Sequence, residues 1–340
     1  MPLIYFDEMK SVFHDILLVN GFNNEEANAC AEVFAINSLE GVYSHGVNRF
    51  EKFIDDVKNN YIKPGQTPVL KHASGSLEQW DGQLGPGPLN AIFATNRSVT
   101  LSQQNTIGAV ALSHTNHWMR GGYYAWHAAK QNCILLAWTN TIANTPAWGA
   151  TDARLGNNPF VMGIPYNGEA IVLDMAMSQY AHGKLEVYAN KNQPLEVPGG
   201  YDTKGNLSTD AKEILSSGRK LPAGFWKGAG MSLLLDILAM VLSGGLSVSE
   251  ISKSKVEYAI SQVFIAIDIT KLQNYPAINN AIQSVIKDYL ESVPENEHTR
   301  IMYPGQNVIR KRKENAENGI PVDDAIWNRI VQLNKSITNP

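Results

Sequence analysis

Hydrophobic spacing changes twice along this chain, and those changes limit the architectures open to it. Over roughly the first sixty residues the apolar positions recur at helical intervals. Met9, Val12, Phe13, Ile16 and Leu17 form one stripe, with Asp7 as a candidate N-cap and Asn20-Gly21 as a stop. A second helix opens after Asn23 or Asn24 with Ala27, Cys30, Ala31 and Phe34 inward. A third carries Phe50, Phe53, Ile54 and Val57 and ends before Lys63-Pro64-Gly65. From about residue 70, short β-rich runs alternate with helical ones, the signature of a sheet layered with helices. The strand candidates are Leu77–Asp81, Ile107–Leu112, Cys133–Thr139, Pro159–Ile164, Ile171–Met175 and Gln262–Ile269. The helical ones are Leu89–Gln103, Gly122–Lys130 and Gly230–Leu242.

Tyr166-Asn167-Gly168-Glu169 reads as a hairpin turn between two of those strands, so the sheet is expected to be mixed. Helical spacing returns in Ile278–Tyr289, Gln306–Asn315 and Asp324–Leu333, with Asp323 or Asp324 capping the last. These tail helices are expected to pack back on the first three. The expected organisation is a discontinuous helical domain, residues 1–70 plus 275–340, around an α/β domain of residues 71–274 with a mixed sheet. Glu186–Lys220, rich in Gly, Pro, Asn and Ser, has too few periodic apolar residues to promise a core of its own. It is expected to act as a lid or an interface arm.

Composition excludes several classes of function. A net charge of −4 argues against nucleic acid as the partner, because phosphate binding needs a basic face. The most apolar run, Met231–Leu242, is interrupted by Asp236 and is too short for a bilayer. The N-terminus lacks the basic start and long apolar region of a signal peptide. Two cysteines, Cys30 and Cys133, both in apolar surroundings, suit a reducing compartment, and the cytoplasm is the default.

Common catalytic signatures are missing. Gly85-Pro86-Gly87 and Gly228-Ala229-Gly230 both lack the third glycine of the dinucleotide fingerprint. There is no phosphate loop, zinc helix, C-x-x-C pair or nucleophile elbow. What stands out is Gly41-Val42-Tyr43-Ser44-His45-Gly46-Val47-Asn48-Arg49-Phe50. If a helix begins near Ser44, then His45 and Arg49, four residues apart, share a face. A proton-donating histidine beside a carboxylate-holding arginine is one reading; a capping serine with two surface side chains is the other. His114-Thr115-Asn116-His117-Trp118-Met119-Arg120 adds two histidines three apart, without a third ligand at supporting spacing, so no metal is expected. Phe225-Trp226-Lys227-Gly228 opens an apolar helix whose first N–H groups suit a phosphate; a solvated cap is equally compatible. Tyr303-Pro304-Gly305-Gln306-Asn307 leads into another helix, carrying Arg310–Lys313.

Together these segments resemble the malate/L-lactate dehydrogenase family of NAD(P)H-dependent oxidoreductases, which lacks a Rossmann domain. The resemblance runs from about residue 5 to residue 333. It rests on Ser38–Phe50, on Asn116-His117-Trp118-Met119-Arg120-Gly121-Gly122, on Gly224–Gly228 and on Gly319–Asp324. The longer runs point to a branch that reduces a sugar-derived 2-keto acid. The resemblance implies an α/β fold with a non-Rossmann NAD-binding domain, a homodimer, and reduction of a 2-keto group by NADH, with NADPH as the other option. It makes His45 the proton donor. The residues themselves suggest Arg49, or failing it Arg120, for the substrate carboxylate, with Ser44 and His117 alongside. The resemblance assigns the cofactor to Ala170, Ile171, Val172, Leu173, Asp174, Met175 and Ala176, to Trp226 and Lys227, and to Gly305, Gln306 and Asn307. Gln179–Lys184 fits the wider family better than the branch. Pyruvate, oxaloacetate or a cyclic imino acid remain open as substrates, as does a non-catalytic nucleotide binder.

Overall fold

The computed structural model describes residues 1–335; residues 336–340, part of the expected helical domain, lie outside the described residues. Strand β1 (Leu3–Ile4) leads into helices α1 (Phe6–Val19), α2 (Asn24–Leu39) and α3 (Val47–Lys58). The α/β stretch follows as β2 (Val69–Ser74), β3 (Leu77–Asp81), α4 (Gly87–Asn105), β4 (Ile107–Thr115), α5 (Gly121–Ala129) and β5 (Cys133–Thr139). Short strands β6 (Thr145–Pro146) and β7 (Ala153–Leu155) precede the hairpin of β8 (Phe160–Tyr166) and β9 (Glu169–Met175). Next come α6 (His182–Asn190), β10 (Gly200–Tyr201), β11 (Leu207–Ser208), α7 (Ala211–Ser217), α8 (Trp226–Ser243), α9 (Val248–Ile251) and β12 (Ile260–Asp268). The chain closes with α10 (Tyr275–Leu290), α11 (Gln306–Asn318), β13 (Ile320–Pro321) and α12 (Asp324–Lys335).

Seven strands form one mixed sheet in the order β2-β3-β4-β12-β5-β8-β9. Only β3 and β4 run parallel; the other neighbours are antiparallel. Helices α4 and α5 cover one face, where Ala91, Ala94, Tyr124 and Ala125 pack with Val110, Leu112, Leu135, Val161 and Phe264. The other face receives α8 through Leu235 and Ala239, against Ala111, Trp138 and Val263. Asp236, the charge that interrupts this apolar helix, accepts hydrogen bonds from Asn140 Nδ2 (3.0 Å) and the Val248 N–H (2.9 Å). One stripe of its apolar length therefore serves the sheet, with its one acid satisfied inside the fold, while Leu234, Leu238 and Val241 stay exposed.

The first three helices share a second core with the chain's end. Phe13 stacks on Phe50 at 4.1 Å, and Phe34 meets Phe50 and Phe53 edge-on, each at 5.1 Å. Ile320, Trp327 and Ile330 join this cluster, and β1 pairs with β13. Asn23 caps α2 in a reciprocal box with Glu26, and Asp323 accepts the first N–H groups of α12. The cap assigned to Asp7 is not formed: α1 begins at Phe6, so Asp7 lies inside the first turn.

Two other expectations are corrected. Helix α10 does not pack on the N-terminal helices. Strand β12 ends at Asp268 opposite Cys133, near the β8–β9 turn, and α10 settles there with Asn279 hydrogen-bonded to Asn167 at 2.8 Å. None of its residues is buried. The Glu186–Lys220 excursion does share a small core: Tyr180 and Leu185, just ahead of it, are buried with its Ala189, Leu195, Ala211 and Ile214. Two short helices and a loop each supply one or two of these, so no single run shows the period.

A buried ion network ties these parts together. Glu40, which ends α2, pairs with Arg120 just before α5 and with Arg312 of α11 (2.7 Å). Arg312 also reaches Glu169, the first residue of β9, at 3.0 Å. Both guanidinium groups lie on the Trp126 ring, at 4.9 and 5.5 Å. Glu40 and Arg120 are each only 4% exposed, so removing one charge strands the other in a poorly hydrated place. Glu40→Gln should therefore lower unfolding free energy by about 3–5 kcal/mol in urea titration. A loss below about 1 kcal/mol, the scale of an exposed pair, would show that the arginines re-pair with Glu169 and Asp174.

Candidate active site

The segment with the most telling sequence folds as a tight turn. Residues Tyr43–His45 form one turn of 3-10 helix, and α3 begins only at Val47. His45 and Arg49 therefore flank a helix start and do not share a helix face, as the spacing suggested. Asn37 Nδ2 holds the His45 carbonyl at 3.0 Å, and Ser38 Oγ accepts the Val47 N–H at 2.8 Å. A Cβ on Gly46 would come within 2.3 Å of Ser38 Oγ and 2.9 Å of the Phe34 carbonyl. Only glycine lets α2 and the turn approach so closely, which accounts for the residue after His45.

His117 faces His45 from the loop after β4. Their rings stack with centroids 5.6 Å apart and planes 26° apart. That loop is fixed by Asn116, whose Nδ2 lies 3.0–3.1 Å from the carbonyls of Tyr61, Leu84 and Gly85, while its own carbonyl accepts from Gln262. Met119, at a left-handed φ of 67°, turns its N–H onto His117 Nδ1 at 2.9 Å. Nδ1 is thus an acceptor, and the His117 proton resides on Nε2. Ser44 Oγ lies 3.0 Å from His45 Nδ1 and holds that ring in place.

Electrostatics converge on this pair. Burial is the main cause lowering the His45 pKa to about 4, helped by the charges of Arg49 and Arg120. His117 is lowered well below its ordinary value by burial first, then by Arg49 and His45. Arg49 has no hydrogen-bonded or ion-paired side chain among the described residues. Arg120 is different: it is committed to Glu40 and 3.8 Å from Asp174, so it is no free partner for a substrate carboxylate. His114 and His117 do not converge on a common ligand. His114 turns to Asp81 at 3.2 Å, and no group of three metal-binding side chains forms among the described residues.

The segments assigned to a cofactor also come together. Strand β9 is one of the two edges of the sheet, and Leu173, Asp174 and Met175 are exposed on it. The Val172 N–H donates to the Pro304 carbonyl at 3.1 Å. Gly305, at φ 91°, lies so near that a Cβ would be 3.1 Å from the Val172 nitrogen and 3.4 Å from Trp126. This brings Gly305-Gln306-Asn307 against Ala170–Ala176 beside Trp126, whose buried Nε1 has no partner among the described residues. Nearby Asp174 accepts the Gly122 N–H at 2.7 Å, and Gln306 Oε1 accepts from the Tyr303 N–H. Beyond β9, Ser178 bridges Pro222 and Met177 accepts the Ala223 N–H, so α8 starts near the strand's end. Trp226 and Lys227 are exposed there, on a helix start without a side-chain cap.

Sequence reasoning missed three contributors. Asn116 and Glu40 lay in quoted motifs but were given no role; a lone buried acid at a helix end was the available signal. Gly183 abuts Ser44, where a Cβ would stand 2.8 Å from the serine Cβ. Lys184, whose family role was uncertain, lies over the rings of Tyr180 and Tyr188 at 5.2 and 5.9 Å, within the small core's surface.

Comparison with known proteins bears on this arrangement. The profile of the malate/L-lactate dehydrogenase family matches residues 4–331. The 2,3-diketo-L-gulonate reductases of Escherichia coli O1:K1 / APEC and of Escherichia coli strain K12 / DH10B are each 42% identical over 332 residues, 97% of this chain and 99% of theirs. In fold, the malate dehydrogenase of Entamoeba histolytica superposes with a TM-score of 0.93 at 22% identity, covering 100% of this chain and 99% of that one. The sulfolactate dehydrogenase of Methanocaldococcus jannaschii gives 0.90 at 24%, covering 99% and 98%. The absent glycine fingerprint, the mixed sheet and the paired histidines now have one explanation: this chain belongs to the malate/L-lactate dehydrogenase family of pyridine-nucleotide-dependent oxidoreductases.

Proposed function

We propose that the protein is a 2,3-diketo-L-gulonate reductase, using NADH to reduce the 2-keto group to a secondary alcohol. The observation that carries the chemistry is His45, held by Ser44, stacked on His117 and close to an unpaired Arg49. The substrate is inferred from the 42% identity to reductases of that name. When bound, the reduced nicotinamide supplies the hydride.

The chain's own residues do the rest. Arg49 takes the substrate carboxylate, because its planar fork matches two oxygens and no side chain among the described residues already occupies it. His45 gives a proton to the carbonyl oxygen as alkoxide character develops. His117, with its proton on Nε2, offers a hydrogen bond to the same oxygen. In the free chain the Arg49 charge helps to keep His45 unprotonated. A carboxylate seated on Arg49 offsets that charge and raises the His45 pKa, so the acid is loaded when substrate arrives.

For the cofactor we assign Ala170–Ala176, Gly305–Asn307 and Trp226-Lys227. The free edge of β9 and the glycine approach at Val172 support this, as does the uncapped start of α8, where N–H groups and Lys227 favour a phosphate. NADH is our reading over NADPH: on α11 Arg310, Lys311 and Arg312 are paired with carboxylates, which leaves Lys313 as the one cation of that run without an ion pair among the described residues. The two buried free thiols suit the cytoplasm. The unit is read as a homodimer. Met231, Leu234, Leu238 and Val241 lie along one face of α8 at helical spacing and are exposed, Leu234 at 56% and Val241 at 60%. A row of that kind on a soluble enzyme fits a two-fold contact with a second copy.

Two outcomes follow. His45→Gln should slow keto-acid turnover by roughly 10²–10⁴-fold while NADH affinity stays unchanged. Turnover close to that of the unmodified protein would move the acid elsewhere, with His117 the next candidate. Light scattering should report roughly twice the 37.4 kDa chain mass, and Leu234→Glu with Val241→Glu should halve it. A monomeric unmodified protein, or a dimeric double variant, would take α8 out of the contact.

A further inference from the structure

Strand β4 is bulged just before the loop that carries His117. Thr115 of β4 faces Ile260 of β12, and Leu112 faces Gln262, so Ser113 and His114 together oppose Ser261 alone. One extra residue in a strand reverses the side of the sheet on which every later side chain lies. Bulges of this kind re-aim side chains beside active sites. His114 adopts a left-handed φ of 48°, a conformation that strains an L-residue. Three hydrogen bonds hold the bulge. His114 Nδ1 lies 3.2 Å from Asp81 Oδ2, the His114 carbonyl accepts the Leu84 N–H at 2.8 Å, and the Ser113 carbonyl accepts the Gly82 N–H at 2.8 Å.

Beyond the bulge the chain is caught from β12. Gln262 Nε2 donates to the Asn116 carbonyl at 2.9 Å. Gly87, the first residue of α4, lies against the same stretch: a Cβ there would stand 2.4 Å from the Asn116 carbonyl oxygen and 2.2 Å from that of His117. Gln262 is fully buried, yet its Oε1 has no partner among the described residues. A buried amide with one end unpaired costs stability, so packing alone is a poor reason for a glutamine at this place. We infer that Gln262, together with His114 and its partner Asp81, are positioning residues that set His117 against His45. The bulge aims the Asn116–His117 loop, and Gln262 fixes where it stops, with the two rings 5.6 Å apart. His114, the other histidine of the sequence motif, thus acts through the backbone. This role rests on the reading of His45 and His117 as the reacting pair and deepens it.

The test separates position from stability. Gln262→Met is close in length, drops the bond to Asn116 and removes the oxygen that has no partner. It should slow keto-acid turnover about ten- to a hundredfold, the scale of a small misplacement at a reacting group, without lowering the urea midpoint or NADH affinity. His114→Asn, which tolerates a left-handed φ and can still donate to Asp81, should keep most of the turnover. His114→Val, β-branched and poorly suited to that φ, should lose it to the same degree as Gln262→Met, and serves if the first variant folds poorly. In the free protein the His117 ring resonance should move in Gln262→Met and His114→Val, while that of His14 on α1 stays in place. A lowered urea midpoint with turnover of the folded fraction unchanged would make these residues merely structural, and an unmoved His117 resonance in both variants would overturn the positioning role. Failure of the reductase reading shows separately, as absence of NADH oxidation by the unmodified protein with any 2-keto acid; the His117 resonance then still decides the positioning role.

Discussion

One buried carboxylate holds this molecule in register. Glu40 ends α2 immediately before the Gly41–His45 turn, and its two partners belong to distant segments. Arg120 closes the loop that carries His117; Arg312 follows Gly305–Asn307 by less than two helical turns and reaches Glu169 at the start of β9. The proposed proton donor His45, its stacked neighbour His117 and the proposed cofactor edge are therefore positioned by a single shared charge centre. Such a network costs desolvation on every member, and only full pairing offsets it. Its value lies in geometry: a small shift of any one segment would leave an arginine buried alone.

A second constraint concerns protons. Burial makes His45 a poor base in the free chain, and the charges of Arg49 and Arg120 add to the effect. A general acid that is empty at rest is useful only if substrate loads it. In the proposed mechanism a carboxylate seated on Arg49 offsets one of the charges that oppose protonation of His45. Ser44 and the Met119–His117 hydrogen bond leave each ring a defined orientation, so the proton has one productive direction.

Much of the fold was legible from spacing. Leu77–Asp81 and Cys133–Thr139 are strands with the bounds the sequence suggested, and the Asn167-Gly168 hairpin joins β8 to β9. Local periodicity and turn chemistry suffice there because the information lies within a few residues. The small core around Tyr180 and Ile214 was invisible because its apolar residues come singly from separate pieces. The placement of α10 was missed because an amphipathic pattern gives a face and no address. At the site, Ser44, His45 and His117 could be picked from their residue types. The helical face proposed for His45 and Arg49 was wrong because Gly46 breaks the helix between them. Arg120 looked available in sequence only because its partner Glu40 is 80 residues away. Pairing across such a separation leaves no trace in spacing.

The central claim is that an acid bound at Arg49 loads the proton on His45, and a histidine-resolved NMR titration addresses it directly. The His45 ring resonance, assigned by its loss in His45→Gln, is followed against pH with NADH present, first without and then with a saturating 2-hydroxy acid. The account predicts a midpoint of about 4 in the absence of the acid and a clear upward shift toward neutrality in its presence. Affinity for the hydroxy acid should accordingly rise as pH falls between those two midpoints. A His45 midpoint that stays near 4 with the acid bound, or an upward shift confined to His117, would contradict it.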